Sequence, residues 1–288
     1  MIYYYAHTGH KVGLDRARRG TAVVKALQQA GVEATLLSND FRAGVAMQEL
    51  GLRDYITVET VWDVDAAASE DDSVIFDTFE DDQGKLKLYA ERFACVGHFG
   101  CEPLSSDAKR EVLFCDRDEA TNVLSPVIVD EVYTQPLPKE DRLLFFFGDA
   151  DYDKVILQHD DFFRETPMEL LWGHYFFIKY EAALASLFST VHESEAYETL
   201  IRSSATVVTA SSQTAMEAKA AGVKVVYIAY EAHPCYDTTT LNAYGIAVID
   251  GFDKAALHSA LKEDNPEATR RFRRVDVTFL ADFCSRSA

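Results

Sequence analysis

Residues 203–229, SSATVVTASSQTAMEAKAAGVKVVYIA, read as strand, tight turn, helix, glycine turn and strand. Residues 205–210 are an apolar run rich in Val and Thr, suited to a buried strand. Ser211 and Ser212 follow, and either can cap a helix that continues through Gln213, Thr214, Ala215 and Met216. Gly222 ends that helix and 223–229 begin the next strand. Two strands joined through a helix imply a parallel sheet, which commits the chain to an α/β architecture. A helix opened by small hydroxyl residues also leaves its first amides at the positive end of its dipole, a seat suited to a phosphate or diphosphate. Glu217, one turn into the helix, is placed to reach a ribose. The plainer reading of the same residues is a βαβ unit with a good N-cap.

The rest of the chain keeps the alternation. Residues 2–6 predict a strand, 17–30 a helix with Ala22, Val23, Ala26, Leu27 and Ala30 on one face, and 32–38 a strand. A helix over 43–50, strands over 55–59 and 73–77, a helix over 85–93 and strands over 94–99 and 111–115 follow. Residues 133–141, YTQPLPKED, hold Pro136 and Pro138 and mark the boundary between two halves of similar size. The expected domains are 1–135 and 141–288, both Rossmann-like with parallel sheets and with a cleft between them. In the second half, strands are expected at 142–147, 175–180 and 245–250, a helix at 195–202, and a closing helix at 277–283 that crosses back.

Composition sets the partners. With 28 Lys and Arg against 47 Asp and Glu, the formal charge is −19, which repels nucleic acid and anionic membranes. No signal-peptide pattern and no run of about 18 apolar residues is present, so a soluble cytoplasmic protein is expected. The five cysteines, odd in number and without a CxxC pair, read as free buried thiols. Cys95, His98 and Cys101 match no common zinc spacing, and His159 beside Asp160 and Asp161 reads as an exposed loop, so no metal is expected.

Two further turns carry candidate chemistry. His7-Thr8-Gly9-His10 follows the first strand directly, a favoured ligand position in doubly wound sheets. Gly9 permits close backbone approach, His10 can act as acid or base, and Lys11, Arg16, Arg18 and Arg19 form a local cationic run. The acidic loop 149–153, DADYD, lies after Gly148 at the end of the strand LLFFF. Asp77 ends another strand and is a second candidate base; His233 follows the strand 223–229 and is a reserve candidate for base or sugar contacts. GxGxxG, GxxxxGK[ST] and GxSxG are all missing, against a dinucleotide site after the first strand, a P-loop and a nucleophile elbow.

These motifs, taken in order, resemble the GT-B-fold group that holds the UDP-sugar hydrolase of pseudaminic acid biosynthesis and the lipid II-forming N-acetylglucosaminyltransferase. The first turn of that group, Gly-x-Gly-His, corresponds to His7-Thr8-Gly9-His10; its second-half strand, turn and Asp correspond to LLFFFGDAD; its nucleotide turn and Glu-bearing helix correspond to ASSQTAMEAKAAGVKVV. His7 stands for the first Gly, Ser211-Ser212 for the Gly-Gly pair, and Lys224 for the Pro after Gly-Val. The resemblance implies a nucleotide-diphosphate-sugar substrate, UDP-linked or related, and no metal cofactor. The diphosphate would rest on Ser211, Ser212, Gln213 and Thr214, with Glu217 on the ribose. Thr8, Gly9, Arg16, Gly148 and His233 would line the substrate, and His10, with Asp77 as alternative, would be the base. Glycosyl transfer in cell-surface glycan synthesis is the first expectation, nucleotide-sugar hydrolysis the second, and a non-catalytic binding or scaffold protein of the same fold the third. A lipid-linked acceptor would bring the protein to a membrane only peripherally.

Overall fold

The computed structural model describes residues 1–116, 122–176 and 178–285. The chain divides into two compact units, one of Met1–Gly9, Arg16–Ile128 and Arg273–Ala288, the other of His10–Asp15 and Val129–Phe272. Each unit is a parallel sheet flanked by helices, a Rossmann-like α/β layer structure.

The first sheet is built from β1 (Ile2–Ala6), β2 (Ala34–Ser38), β3 (Tyr55–Thr57), β4 (Ser73–Asp77), β5 (Cys95–Phe99), β6 (Glu111–Phe114) and β7 (Val123–Leu124). Their order is β3-β2-β1-β4-β5-β6-β7. Every residue of β1 and β4 is buried, which is why these strands read as continuous apolar runs rather than alternating ones. The second sheet holds β8 (Glu140–Phe146), β9 (Glu169–Leu171), β10 (Thr190–His192), β11 (Ser204–Thr209), β12 (Lys224–Ala229) and β13 (Ala247–Asp250), in the order β10-β9-β8-β11-β12-β13. Both sheets therefore start in the middle, build to one edge, and return to build to the other. This winding leaves a switch point at the carboxyl ends of the two central strands, β1 and β4 in one unit, β8 and β11 in the other.

Two sequence expectations are corrected here. The strand expected at 175–180 is not found among its described residues: the helix Ile178–Leu184 takes the second half, and position 177 lies outside the described residues. Tyr180 and Leu184, four residues apart, both enter the second unit's core, so helical spacing outweighs the β-propensity of the aromatic run. The cysteines are not all free: Cys101 and Cys115 are joined in a disulfide, with Cα atoms 5.2 Å apart. Cys101 follows β5 and Cys115 follows β6, neighbouring parallel strands paired as Phe99 to Phe114, so both sulfurs lie at the carboxyl end of the sheet. Cys95, Cys235 and Cys284 are free thiols. Among the described residues, no helix is long and apolar enough to cross a membrane.

Candidate functional site

In the second unit the chain leaves β8 through Phe147, Gly148 and Asp149. Gly148 has φ +140°, a conformation that L side chains rarely adopt. The turn is clasped from outside by Gly173, where a Cβ would lie 2.5 Å from the Gly148 carbonyl oxygen, and the Tyr175 amide donates to the Asp149 carbonyl at 2.9 Å. Two of the loop's three acids, Asp149 and Asp151, are held by side-chain bonds. Asp149, 1% exposed, bonds His174 Nδ1 at 2.9 Å. Asp151 accepts from the amides of Val155 at 2.6 Å and Ile156 at 3.2 Å, capping the short helix that follows, and from the Tyr180 hydroxyl. Burial, together with that bond, pushes the Tyr180 phenol above its usual value. Among the described residues, no three His, Cys, Asp or Glu side chains are placed to hold a metal ion.

On the other side of the switch point, β11 ends at Thr209 and the helix Ser212–Ala220 begins after Ser211. Ser211 is the N-cap, its Oγ accepting from the Thr214 amide at 3.0 Å. The next amides are occupied by carboxylates of the chain itself. Gln213 N–H donates to Asp15 Oδ2 at 3.1 Å, Ser211 Oγ donates to Asp15 Oδ1 at 2.7 Å, and Ser212 N–H donates to Glu231 Oε2 at 3.3 Å. The seat that the sequence assigns to a phosphate thus holds two anions, as the helix dipole favours. Burial, with Glu231 and Asp15 nearby, pushes the Tyr227 phenol up.

From Asp15 a file of oxygens runs inward. Asp15 Oδ1, Ser211 Oγ, Thr214 Oγ1, Tyr197 Oη and Glu217 Oε2 are spaced at 2.7, 2.7, 2.8 and 2.6 Å. Its four links call for four hydrogens and the three hydroxyls supply three, so a hydrogen on either carboxyl, or an amide in its place, completes it. Glu217 Oε1 accepts from Gln213 Nε2 at 2.9 Å, and Gln213 Oε1 accepts from Tyr236 Oη at 2.8 Å. Residues Ser211 to Thr214 are fully buried and Glu217 is 1% exposed. Glu217 is the inner terminus of this polar network, behind the cavity rather than in its lining.

A cavity of about 340 Å³ opens in front of this arrangement. It is lined by His10, Lys11, Gly13 and Asp15, by 147–153, and by Val155, Ala210, Tyr230 and Glu231. Its walls carry five carboxylates against Lys11 and His10. Exposed Tyr152 supplies an aromatic face: Lys11 Nζ lies 4.8 Å from its ring centre and the His10 ring 5.5 Å. Of the sequence candidates, His10 and Gly148 line the cavity, Ser211, Ser212, Gln213, Thr214 and Glu217 fold inward behind it, and His233 is exposed outside its lining.

Thr8, Gly9, Arg16 and Asp77 belong to the first unit. Thr8 is a fastener, its amide donating to Asn39 Oδ1 at 2.7 Å and its carbonyl accepting from Asn39 Nδ2 at 3.0 Å. Asp77 is 2% exposed and accepts from Arg19 at 2.8 and 2.6 Å and from Tyr4 Oη at 2.7 Å, with Arg16 Nε 3.5 Å away. Both carboxylate oxygens are thus engaged, and Asp77 ties the end of β4 to Arg19 and to β1. Sequence reasoning missed Asp15, Glu231 and His174. Position after β12 was a usable signal for Glu231; nothing local marks Asp15, whose partners lie almost two hundred residues away.

No protein-family model and no curated protein matches the sequence. Solved structures do. One is a protein from Listeria monocytogenes put forward as a UDP-N-acetylglucosamine 2-epimerase, with 13% identity, 93% of this chain and 92% of that chain covered, and a TM-score of 0.60. Another is the UDP-GlcNAc 2-epimerase of Methanocaldococcus jannaschii in complex with UDP-GlcNAc and UDP, with 12% identity, 97% and 96% covered, and a TM-score of 0.55. A third is the spinosyn rhamnosyltransferase SpnG, with 12% identity, 91% and 92% covered, and a TM-score of 0.54. The likeness is one of fold: the chain has the two Rossmann-like units of GT-B-fold enzymes.

Proposed function

We propose that the protein is a nucleotide-diphosphate-sugar-dependent enzyme that takes the diphosphate at the switch point of its second unit and transfers the glycosyl group. One observation carries this reading: the amides of Ser212 and Gln213 and the Ser211 hydroxyl already hold carboxylates, so the chain itself fills an anion seat where open α/β sheets bind their ligands. A diphosphate would enter by displacing Asp15 and Glu231. Gly148, without a Cβ, would let it approach the backbone, and His10 at the cavity wall would serve as general base toward the acceptor or, protonated, stabilise the leaving phosphate. Transfer is placed ahead of hydrolysis because the first unit exposes two apolar side chains, Phe41 and Val45, one turn apart on the helix Phe41–Glu49, which suit an acceptor with a lipid-like part.

A second reading is a non-catalytic binding or scaffold protein in which the seat is permanently closed. The burial of Ser211–Glu217 and the two resident carboxylates favour it. Calorimetric titration of UDP, CDP, GDP and TDP into wild type and Asp15→Asn separates the two. Under the enzyme reading, one nucleoside diphosphate binds both proteins. It binds Asp15→Asn more tightly, on the order of tenfold, because a neutral amide competes less well for the dipole. Absence of binding to either protein at millimolar nucleotide overturns the enzyme reading and leaves the scaffold. If binding is found, product analysis with a sugar nucleotide tells transfer from hydrolysis, and His10→Ala should bind the nucleotide yet lose turnover.

A further inference from the structure

The first unit contains a second cysteine pair besides the Cys101–Cys115 disulfide. Cys95 opens β5 and is 0% exposed; Cys284 lies in the helix Val277–Ser285 and is half-buried; their sulfurs are 2.9 Å apart, in hydrogen-bond contact. We propose that Cys95 and Cys284 are a redox-active dithiol that closes to a second disulfide, with Cys284 as the attacking thiol and Cys95 as the resolving one. The co-reactant is a small organic disulfide. The Cys284 thiolate attacks one of its sulfurs, forming a mixed disulfide and releasing one small thiolate. Cys95 then gives up its proton and attacks Cys284 Sγ, releasing the second. The balance is two protein thiols and one small disulfide in, one protein disulfide and two small thiols out.

The division of labour follows from the surroundings. Cys284 is reachable from solvent, whereas Cys95 is enclosed by the sheet. The Cys284 thiol is held below its usual value by its hydrogen bond with Cys95, with help from the Ser73 side chain and Arg110, and the Cys95 thiol is pushed up by the same bond and by burial. The more acidic of the two thiols thus lies on the half-buried side of the pair, 2.9 Å from a thiol positioned to resolve it. The link would join residues 189 apart and fasten the terminal helix to β5. Because both cysteines belong to the first unit, this inference stands apart from the nucleotide reading.

The test uses the full chain with glutathione disulfide, followed by acid quenching, alkylation, and non-reducing peptide mapping. The expected result is a Cys95 peptide linked to the Cys284 peptide, two hydrogens lighter than their sum. Cys95→Ser should trap Cys284 as the glutathione mixed disulfide, and Cys284→Ser should leave Cys95 an unmodified thiol. Wild type that returns both cysteines alkylated, with Cys101 and Cys115 still linked, overturns the proposal. So does glutathione carried on Cys95 in Cys284→Ser with none on Cys284 in Cys95→Ser.

Discussion

Glu217 and Asp15 stand at the two ends of one file of buried oxygens, and the hydrogen count along it separates substitutions that look alike. Glu217→Gln places an amide donor against Tyr197 Oη. Tyr197, Thr214 and Ser211 can then each donate onward, and the last hydrogen reaches Asp15. All four links are made, so Glu217→Gln should match or exceed wild-type stability in urea unfolding. Glu217→Ala leaves Gln213 Nε2 without its Glu217 acceptor in a closed interior, while Tyr197 Oη can still donate to Thr214, and should cost about 1–3 kcal/mol. Neither prediction requires a ligand. With one, nucleotide affinity should be unchanged in Glu217→Gln and raised in Asp15→Asn, since of these two carboxylates Asp15 alone competes for the seat. A ribose contact by Glu217 would show itself as lost affinity in Glu217→Gln. The sequence alone led to the opposite expectation. Position along a helix tells which turn a carboxylate occupies, not whether its face turns toward solvent or toward Tyr197.

At the scale of elements, the helix Asp15–Gln29 sits so close to its sheet that a glycine is required in it. A Cβ at Gly20 would lie 2.6 Å from Tyr4 Cδ1 and 2.9 Å from Leu36 Cδ1. Tyr4 cannot yield, being fully buried and tied through its hydroxyl to Asp77. Gly20→Ala would gain about 1 kcal/mol of helix propensity but force overpacking worth about 1–3 kcal/mol. The expected result is net destabilisation, seen as a lower urea midpoint; a higher midpoint would mean the helix can lift away from β1 and β2. Strand β5 carries a second, pH-dependent test. Burial holds His98 below its usual value, and its Nε2 has no partner among the described residues. The unfolded chain takes up a proton at this residue near pH 6.5, the folded chain only at lower pH, so its contribution is intact above about pH 6.5 and is lost as pH falls toward the folded value. Wild type should lose more stability than His98→Asn between about pH 7 and pH 5; equal losses would refute the assignment. Most of the longer strands and helices were legible because each is a buried apolar run or a clear helical stripe, but the helix Lys254–Lys262 was missed. The three-residue strands β9 and β10 were not, being too short to show a period.

For the whole molecule, the doubled winding was foreshadowed by the restart of strand–helix alternation after Pro136 and Pro138, whereas the strand orders needed the structure. A parallel unit states which segments alternate; which edge each new strand joins is decided by long-range packing. The same limit hid the site. His10 and Gly148 were legible because both follow strands, but Asp15 and Glu231 gain their meaning from partners brought in by the fold. Charge, by contrast, is fully written in the sequence, and it makes a last prediction. The molecule carries a formal −19, and the cavity walls add five carboxylates against one lysine and one histidine. An approaching nucleoside diphosphate is therefore repelled until it reaches the helix amides. Salt screens exposed charges over about 10 Å at 0.1 M and about 30 Å at 0.01 M, so raising ionic strength across this range removes repulsion from most of the approach. The association rate of a bound nucleotide, measured by stopped flow on Asp15→Asn, should therefore rise with salt, the reverse of a phosphate site steered by lysines and arginines. A rate that falls with salt would mean that Lys11 and its neighbours govern the approach, and that the ligand enters through a local positive field which the acidic surface does not reach.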